Sequence, residues 1–403
     1  MSTYESNLLA RASLDACLKC TICETQCPVM AVTPLFPGPK FVGPQAERYR
    51  HGESVDHSID YCSSCGTCTL VCPQGVKIAE LNSAARAVMK KDHMPLRDQI
   101  ISRTTLMGKA MTPIAPLANA ALKMPPVRWA MEKFIGIHRK AAMPTGRTRT
   151  FTAWWNWRTP PKPTRGKVVF FHGCAGKYFE VETSIMTVEV LEHLGYEVVV
   201  PKQGCCGLAL QSNGLFDTAR TYVRTLAEQL DVEPDTPIVA SAASCAGMLK
   251  HEAHEIMGVD DAIVAKAGAR MRDVSEFLLD LAEAGELPRD FQELDLTVAY
   301  HAPCQLKSQG MGKPALELLR LIPGLRVIDA EATCCGIAGT YGFKKEKYDI
   351  GQAVGRPLFD KVREVNPKLA VCDTETCRWQ IAASTGAKVV HPIWLVHQAY
   401  GLG

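Results

Sequence analysis

The sequence CLKCTICETQCP, residues 17–28, is matched in form by CSSCGTCTLVCP, residues 62–73. Each stretch reads C-x2-C-x2-C-x3-C-P, so three cysteines are followed by a fourth and then by a proline. Three thiolates at this spacing can bind three corners of one iron–sulfur cube from a tight loop, while the fourth binds the other cluster. The pattern predicts an α-helical, two-cluster domain of the ferredoxin type over residues 1–95.

The spacing also divides the eight thiols between two [4Fe–4S] clusters. The first set is Cys17, Cys20, Cys23 and Cys72, and the second is Cys27, Cys62, Cys65 and Cys68. A pair of structural zinc ions is the alternative, but zinc sites use separated C-x2-C pairs and do not require a third cysteine at the next step. The complete double motif favours iron–sulfur clusters.

Composition excludes several classes of protein. The 403 residues are 47% hydrophobic and 22% charged with a net charge of +3, which is typical of a globular protein and not of one built to hold a polyanion. The sequence shows neither an apolar run long enough for a transmembrane helix nor a secretory signal peptide, so we expect an intracellular protein. In a reducing compartment, 17 cysteines are expected to bind metal or carry redox chemistry.

Beyond the N-terminal domain, short apolar runs alternate with helical patterns, which predicts parallel βαβ units. The predicted strands are 168–171, 197–201 and 237–241, and then 296–301, 326–330 and 369–372. CCGLALQSNG (205–214) matches CCGIAGTYGF (334–343), FHGC (171–174) matches YHAPC (300–304), and SAASC (241–245) matches DTETC (373–377). The cysteines of these pairs lie 129, 130 and 132 residues apart, and DVSEFLLD (273–280) also resembles HPIWLVHQ (391–398), so the region is a duplication. The predicted fold class is α+β multidomain, with the helical ferredoxin-type domain followed by two α/β Cys-Cys-Gly repeats at 167–295 and 296–403.

The cysteines of each repeat follow the predicted strands, at the sheet edge where open α/β proteins place ligands. The candidate ligands are Cys174, Cys205, Cys206 and Cys245 in the first repeat, and Cys304, Cys334, Cys335, Cys372 and Cys377 in the second. Buried, inert cysteine is the alternative, because this residue is often internal. It does not explain two adjacent Cys-Cys pairs in matching places. His172 and His301 lie just before the first cysteine of each repeat. The roles left open for them are metal ligand, hydrogen-bond partner and structural residue.

The connecting segment, residues 96–166, is unusual in composition. Between Lys123 and Lys167 there are eleven Lys or Arg residues against one acid, and four of the six tryptophans. Basic residues attract anionic lipid headgroups and tryptophan prefers the interface, so residues 96–167 are a candidate membrane-contact segment. Pro125 and Pro126 break any single long helix there. The alternatives are a strap that packs its tryptophans on the two domains and, without any recognised module, a nucleic-acid surface.

These motifs resemble the iron–sulfur subunits that accompany flavin dehydrogenases, above all the family of the C subunit of anaerobic glycerol-3-phosphate dehydrogenase. The similar stretches are KCTICETQCPV (19–29), FPGPKFVGPQAER (36–48), LMGKAMTPIAP (106–116) and CCGIAGTYGFKKE (334–346). The resemblance implies an electron-transfer protein without a catalytic residue of its own. It would take electrons from flavoprotein subunits A and B, pass them to the membrane quinone pool, and lie peripherally on the cytoplasmic side of the inner membrane.

The repeats also resemble the B subunit of heterodisulfide reductase, in which a five-cysteine domain ending in C-x2-C holds a noncubane [4Fe–4S] cluster. This chain departs from that pattern, because Thr374 stands at the C-x2-C position before Cys377 and the extra thiol is Cys372. A further cluster or metal in the repeats is therefore left open.

The sequence has no GxGxxG following a strand, so flavin and NAD are expected on partner subunits. The alternatives for the function are an iron–sulfur subunit of a glycolate or lactate oxidase, a heterodisulfide-reductase-like enzyme with thiol chemistry, and a zinc-binding scaffold.

Overall fold

A computed structural model describes residues 12–46, 57–91, 94–366 and 368–403 of the chain. An N-terminal helical domain is followed by a helical connecting segment and then by two parallel sheets covered with helices. This architecture confirms the predicted multidomain α+β class. Glu47 and Arg48, at the end of the 36–48 stretch, lie outside the described residues.

Each repeat contains one four-stranded sheet, and every pairing in both sheets is parallel. The first sheet has the order β2-β1-β3-β4, with strands β1 (Lys167–Phe171), β2 (Glu197–Val199), β3 (Ile238–Ala240) and β4 (Met271–Asp273). The second has the order β6-β5-β7-β8, with strands β5 (Leu296–His301), β6 (Leu325–Asp329), β7 (Leu369–Cys372) and β8 (Lys388–Val390). The identical order is what a duplication requires.

The helices of the repeats cover both faces of these sheets, so central strands such as β1 are runs of buried apolar residues rather than alternating ones. The first repeat has helices Gly173–Tyr178, Val181–His193, Leu208–Ser212, Phe216–Leu230, Ala243–Gly247, Ala253–Glu255, Ala262–Arg270 and Val274–Glu283. The second has helices Cys304–Ser308, Pro314–Leu319, Tyr348–Val365, Glu375–Thr385 and Pro392–Ala399.

The two repeats pack on each other reciprocally. Helix Val181–His193 of the first contacts helix Pro392–Ala399 of the second, and helix Val274–Glu283 of the first contacts helix Pro314–Leu319 of the second. In each contact the early helix of one repeat meets the last helix of the other, as an approximate two-fold relation produces. One hydrophobic core runs through both repeats, so they form a single unit.

The N-terminal domain and the connecting segment are built from short helices. They are Ile22–Thr25, Thr67–Leu70, Ile78–Lys90, Leu96–Ile101, Thr104–Met111, Ala115–Ala121, Pro125–Ala130 and Phe151–Asn156. Pro125 begins a new helix after Ala121, so the prolines do interrupt the segment. Across the described ranges, no helix has the length and apolar character needed to traverse a bilayer.

The end of the connecting segment is a strap on the first repeat. Phe151 is fully buried against the rings of Phe170 and His172. Trp154 and Trp155 pack on the same core, with the guanidinium of Arg158 over both rings. This part of the segment packs as the strap alternative describes, on the first repeat, whereas Trp129 and Trp157 are exposed.

Candidate functional site

The structure brings the first predicted thiol set together around one small cavity of the N-terminal domain, lined by Cys17, Cys20, Cys23 and Cys72. Burial raises the pKa of the Cys23 thiol to about 11, and the negative charge of Glu24 and the other three thiols adds to the effect. Cys20 is exposed, so this set lies at the surface of the protein.

The second predicted set lines a cavity of its own, formed by Cys27, Cys62, Cys65 and Cys68. Burial, with the charges of the neighbouring Cys62 and Cys65 adding to it, raises the pKa of Cys27 to about 12. Burial also raises the pKa of Cys68, with the other three thiols contributing. Unlike the first set, this one contains no exposed cysteine.

The loops that carry these thiols share an unusual backbone. Lys19 and Thr21 in the first motif, and Ser64 and Gly66 at the matching places in the second, all have positive φ. Left-handed non-glycine residues cost about 1 kcal/mol each and persist where the surroundings require them. Here they curl each loop so that its thiols converge. Four sulfur donors around one cavity fit an iron–sulfur cluster, whose iron would replace the thiol protons.

The second repeat collects four of its five predicted cysteines near the carboxyl ends of β5, β6 and β7. The Sγ atoms of Cys335 and Cys377 are 3.0 Å apart. Cys304 and Cys334 are in hydrogen-bond contact, and the Gly336 N–H donates to Cys334 Sγ at 3.3 Å. The fifth, Cys372, is the last residue of β7 and contacts Cys377.

His301 joins this group. A ligand atom of His301 and the Sγ atoms of Cys335 and Cys377 all lie within 4.8 Å of one another. The buried Nε2 of His301 has no hydrogen-bond partner within the described part of the chain. Burial lowers the pKa of this imidazole to about 4, so it is neutral, the form that binds a metal. The donor set of the second repeat, sulfur with one imidazole, fits iron or an iron–sulfur cluster.

The first repeat forms a matching but looser group. Cys174 and Cys205 Sγ atoms are 3.6 Å apart, and those of Cys206 and Cys245 are 3.4 Å apart. His172 is not grouped with them in the way that His301 is with Cys335 and Cys377. Its Nδ1 contacts the Gly173 carbonyl at 2.7 Å and its ring packs on Phe151, while its Nε2, like that of His301, has no hydrogen-bond partner among the described residues. The structure thus gathers all four predicted cysteines and gives the two histidines different surroundings.

A glycine after each Cys-Cys pair is required by geometry. Gly207 and Gly336 have φ of +83° and +82°, in the left-handed region. A Cβ at Gly336 would lie 1.8 Å from the carbonyl oxygen of Gly351, which no side chain could tolerate. In this conformation the glycine N–H points back at the first cysteine of the pair, Cys205 or Cys334. The loop therefore presents a thiolate acceptor that is already hydrogen-bonded.

The second thiol set of the N-terminal domain abuts the second repeat. Burial raises the pKa of Cys65, and the charge of the nearby Cys334 adds to it. The charge of Cys65 in turn adds to the larger effects of Cys334 and burial that raise the pKa of Cys304. Helix Thr67–Leu70 packs on helix Cys304–Ser308, and Gly66 closely approaches Ser308. This approach joins residues far apart in sequence, and no motif could have predicted it.

Sequence reasoning also missed a cavity that the two repeats share. Its wall includes thiols of the first repeat, such as Cys206 and Cys245, and of the second, such as Cys335 and Cys377, together with two acids, Glu252 and Glu375. The duplication was the available signal, because a two-fold relation brings equivalent loops face to face.

Comparison with known proteins agrees with this division. Residues 13–76 match the family model of a 4Fe-4S dicluster domain, and residues 168–250 and 298–382 each match that of a cysteine-rich domain. The chain is 38% identical to the C subunit of anaerobic glycerol-3-phosphate dehydrogenase from Escherichia coli (strain K12), over 96% of this chain and 98% of the relative. It is 25% identical to the glycolate oxidase iron-sulfur subunit of the same organism, over 97% of this chain and 95% of the relative.

A third relative, the B subunit of the fumarate reductase (CoM/CoB) from Methanothermobacter marburgensis, is 25% identical over 96% of this chain and 72% of its own length. The matched models and the thiol sets agree that the chain binds iron–sulfur clusters. It therefore belongs to the family of the C subunit of anaerobic glycerol-3-phosphate dehydrogenase, the iron–sulfur electron-transfer member of a multisubunit enzyme.

Proposed function

We propose that this chain carries electrons from the flavoprotein subunits of a glycerol-3-phosphate dehydrogenase to quinone in the membrane. The observation that carries the proposal is the series of thiol sets, which begins at an exposed group, continues through a buried one and reaches the second repeat. When bound, iron–sulfur clusters accept and release one electron at a time, which suits a relay from a two-electron flavin.

The proposed ligands follow the geometry. Cys17, Cys20, Cys23 and Cys72 hold one [4Fe–4S] cluster, and Cys27, Cys62, Cys65 and Cys68 hold the second. In the second repeat, Cys304, Cys334, Cys335 and Cys377 hold a further iron–sulfur group with His301 beside it. The ligand role of Cys372, and of Cys174, Cys205, Cys206 and Cys245 in the first repeat, stays a prediction from the sequence.

The exposed thiol set is the proposed entry point for electrons. Cys20 is exposed, and large apolar side chains around this set are exposed as well, with Leu18 at 68% and Leu70 at 56%. Apolar groups beside an exposed redox site fit a docking surface for a protein partner. We assign this surface to the flavoprotein subunits.

The proposed membrane surface is the first part of the connecting segment. Ten of the eighteen large apolar side chains that are exposed in the described part of the chain fall between residues 96 and 157, among them Leu96, Leu117 and Phe134. Exposed lysines, Lys123, Lys133 and Lys140, lie among them. Apolar groups flanked by cations fit an anionic lipid surface, to which each basic residue contributes about 1 kcal/mol.

Vesicle sedimentation tests this surface. We expect replacement of Lys123, Lys133 and Lys140 by Gln to weaken binding to phosphatidylglycerol vesicles by tenfold or more. The matched control replaces three exposed lysines elsewhere, Lys202, Lys266 and Lys388, and should bind like the wild type. Equal binding by both triple variants would overturn membrane contact at this segment.

Reconstitution tests the relay. Flavoprotein subunits alone should oxidise glycerol 3-phosphate with a soluble dye but not with quinone in vesicles, and addition of this chain should restore quinone reduction. Glycolate and lactate are assayed in parallel, since a relative serves glycolate oxidase. Quinone reduction at full rate without the chain would overturn the proposal.

A further inference from the structure

A cavity of about 280 Å³ lies between the two repeats and the connecting segment. Thiols from both repeats contribute to its wall, including Cys206 and Cys245 from the first and Cys335 and Cys377 from the second. Most of the remaining lining is apolar, including Ile337 and residues of the connecting segment. This is the usual character of a small-molecule site, which is concave and apolar with a few polar groups.

The cavity opens at the proposed membrane surface. Ile100 and Ile135 line the cavity, and each is also 40% exposed. Thr104, Met107 and Met131 line the same region. A ligand entering here passes between apolar side chains that are continuous with those exposed on the connecting segment. An apolar molecule dissolved in the membrane fits this route, whereas a charged, water-soluble substrate does not.

Polar groups stand at defined places on this apolar wall. Glu252 lines the cavity, is 5% exposed, and accepts a hydrogen bond from Gln305. The hydroxyl of Thr374 and the amide oxygen of Gln305 also line it and have no hydrogen-bond partner among the residues described. A buried hydroxyl without a partner destabilises the protein, and an acceptor on a bound ligand would satisfy it.

We propose that this cavity binds the ring of a quinone, which enters from the connecting segment, and that Glu252 donates a proton to one of its carbonyl oxygens. The inference rests on the proposed function and names its acceptor site. A planar apolar ring with two carbonyl acceptors matches the apolar lining, and the Thr374 hydroxyl and a protonated Glu252 are donors that its carbonyl oxygens could accept from. The thiols on the wall place the proposed iron–sulfur group of the second repeat beside this ring.

Reduction of a quinone to a quinol adds two electrons and two protons, and it converts both carbonyls to hydroxyls. The electrons are those delivered by the flavoprotein partner along the proposed relay. Glu252 supplies the proton for one oxygen, and water at the opening supplies the other; Glu252 then regains its proton from solvent. Burial, with the negative charge of Glu80 adding to it, raises the pKa of Glu252 to about 7, so this carboxyl carries a proton near neutral pH.

Direct binding tests the cavity without relying on turnover. The chain carrying its clusters is titrated anaerobically with 2-methyl-1,4-naphthoquinone by equilibrium dialysis. Thr104→Phe puts a ring into the opening, and we expect affinity to fall tenfold or more. Thr105→Phe is the matched control, because Thr105 is the next residue of the same helix, is equally half-buried and does not line the cavity. Equal affinity in both variants would overturn the site.

A second pair of variants tests the proton donor in the full complex. For Glu252→Gln we expect quinone reduction at one tenth or less of the wild-type rate, with a much smaller loss in the reduction of ferricyanide, which takes up no proton. Glu255→Gln, one turn further on and outside the cavity, should behave like the wild type. Normal quinone reduction by Glu252→Gln overturns this role.

The two proposals fail in different ways. If the wild-type complex does not reduce quinone at all, the proposed relay is wrong, and the dialysis experiment still decides whether the cavity binds the ring. If the complex reduces quinone and Thr104→Phe changes neither affinity nor rate, the acceptor site lies elsewhere and only the further inference is overturned.

Discussion

Gly66 of the second ferredoxin motif occupies the place that Thr21 has in the first, and both have left-handed backbone. A threonine is tolerated at position 21 because its side chain is exposed to solvent. At Gly66, a Cβ atom would lie 2.8 Å from the Cβ of Ser308 in the second repeat. This glycine therefore permits the close approach of the second thiol set to the second repeat.

We predict that Gly66→Ala lowers the free energy of unfolding by about 2–3 kcal/mol, the sum of left-handed strain and overpacking. Gly75→Ala is the control, because Gly75 has φ of +65° and open space around its Cβ position. It should lose only about 1 kcal/mol. Chemical denaturation of the anaerobic proteins measures both, and equal losses would contradict the close approach.

At this scale, the sequence predicted which cysteines would converge in each set, because ligand spacing within a short loop determines which thiols can share a cluster. It could not predict that Cys65 lies near Cys334, or that His301 differs from His172 in its surroundings. Those facts depend on how separate domains pack, which residue spacing does not encode.

Among the elements, three strands of each repeat were predicted close to their observed positions. The strands β4 and β8 were not predicted, because neither contains an apolar run long enough to be recognised in the sequence. The segments that come after these two strands were visible in the sequence as the matching stretches 273–280 and 391–398. In the structure these are the starts of equivalent helices, capped by Asp273 and His391.

The helix Thr104–Met111 of the connecting segment packs closely on the first repeat at Gly108, which its own sequence does not indicate. A Cβ at Gly108 would lie 2.4 Å from the ring of Tyr178 in the first repeat. Alanine normally stabilises a helix interior by about 0.5–1 kcal/mol relative to glycine. Here the collision outweighs that gain, since the tyrosine is buried and the backbone of the helix rests against it.

We therefore expect Gly108→Ala to destabilise the protein by about 1–3 kcal/mol, as overpacking does. Lys109→Ala, at the next and exposed position, should change stability by less than about 0.5 kcal/mol. Thermal unfolding followed by circular dichroism distinguishes the two. A stabilised Gly108→Ala protein would show that the helix does not pack on Tyr178.

In the whole molecule, a buried network of charges joins the parts. Asp98 of the connecting segment binds Lys90 of the N-terminal domain at 3.1 Å and Lys344 of the second repeat at 2.8 Å. Lys344 also donates to Asn213 of the first repeat at 2.8 Å. Burial opposes ionisation of Asp98, but Lys344 and Lys90 more than offset it and hold the pKa of the carboxyl well below its usual range.

We predict that Asp98→Asn destabilises the protein by about 3–5 kcal/mol, because it leaves buried ammonium groups without their anion. Asp217→Asn is the control, since Asp217 is 81% exposed and pairs with Arg220 on the surface, where a pair contributes at most about 1 kcal/mol. The midpoint of urea unfolding at pH 7 measures both. Similar shifts for the two variants would mean that the network does not hold the domains together.

The arrangement of the domains was the least predictable part. The duplication indicated two similar units, but the reciprocal packing that creates the shared cavity comes from tertiary contacts between helices such as Val181–His193 and Pro392–Ala399. The TYGFKKE stretch, residues 340–346, is part of one of the sequence segments that resemble the family. It carries Lys344 and lies where all parts of the molecule meet.

The central claim is that the chain is an iron–sulfur relay that continues into the second repeat. It is tested most directly by measuring iron, zinc and acid-labile sulfide in the anaerobically purified chain and in the double variant Cys334→Ser, Cys335→Ser. We predict clearly more than about eight irons per chain with matching sulfide, falling to about eight in the variant. About eight irons in both proteins would mean that only the N-terminal domain holds clusters, which contradicts a relay that continues into the second repeat. Zinc with little sulfide would contradict the iron–sulfur assignment altogether.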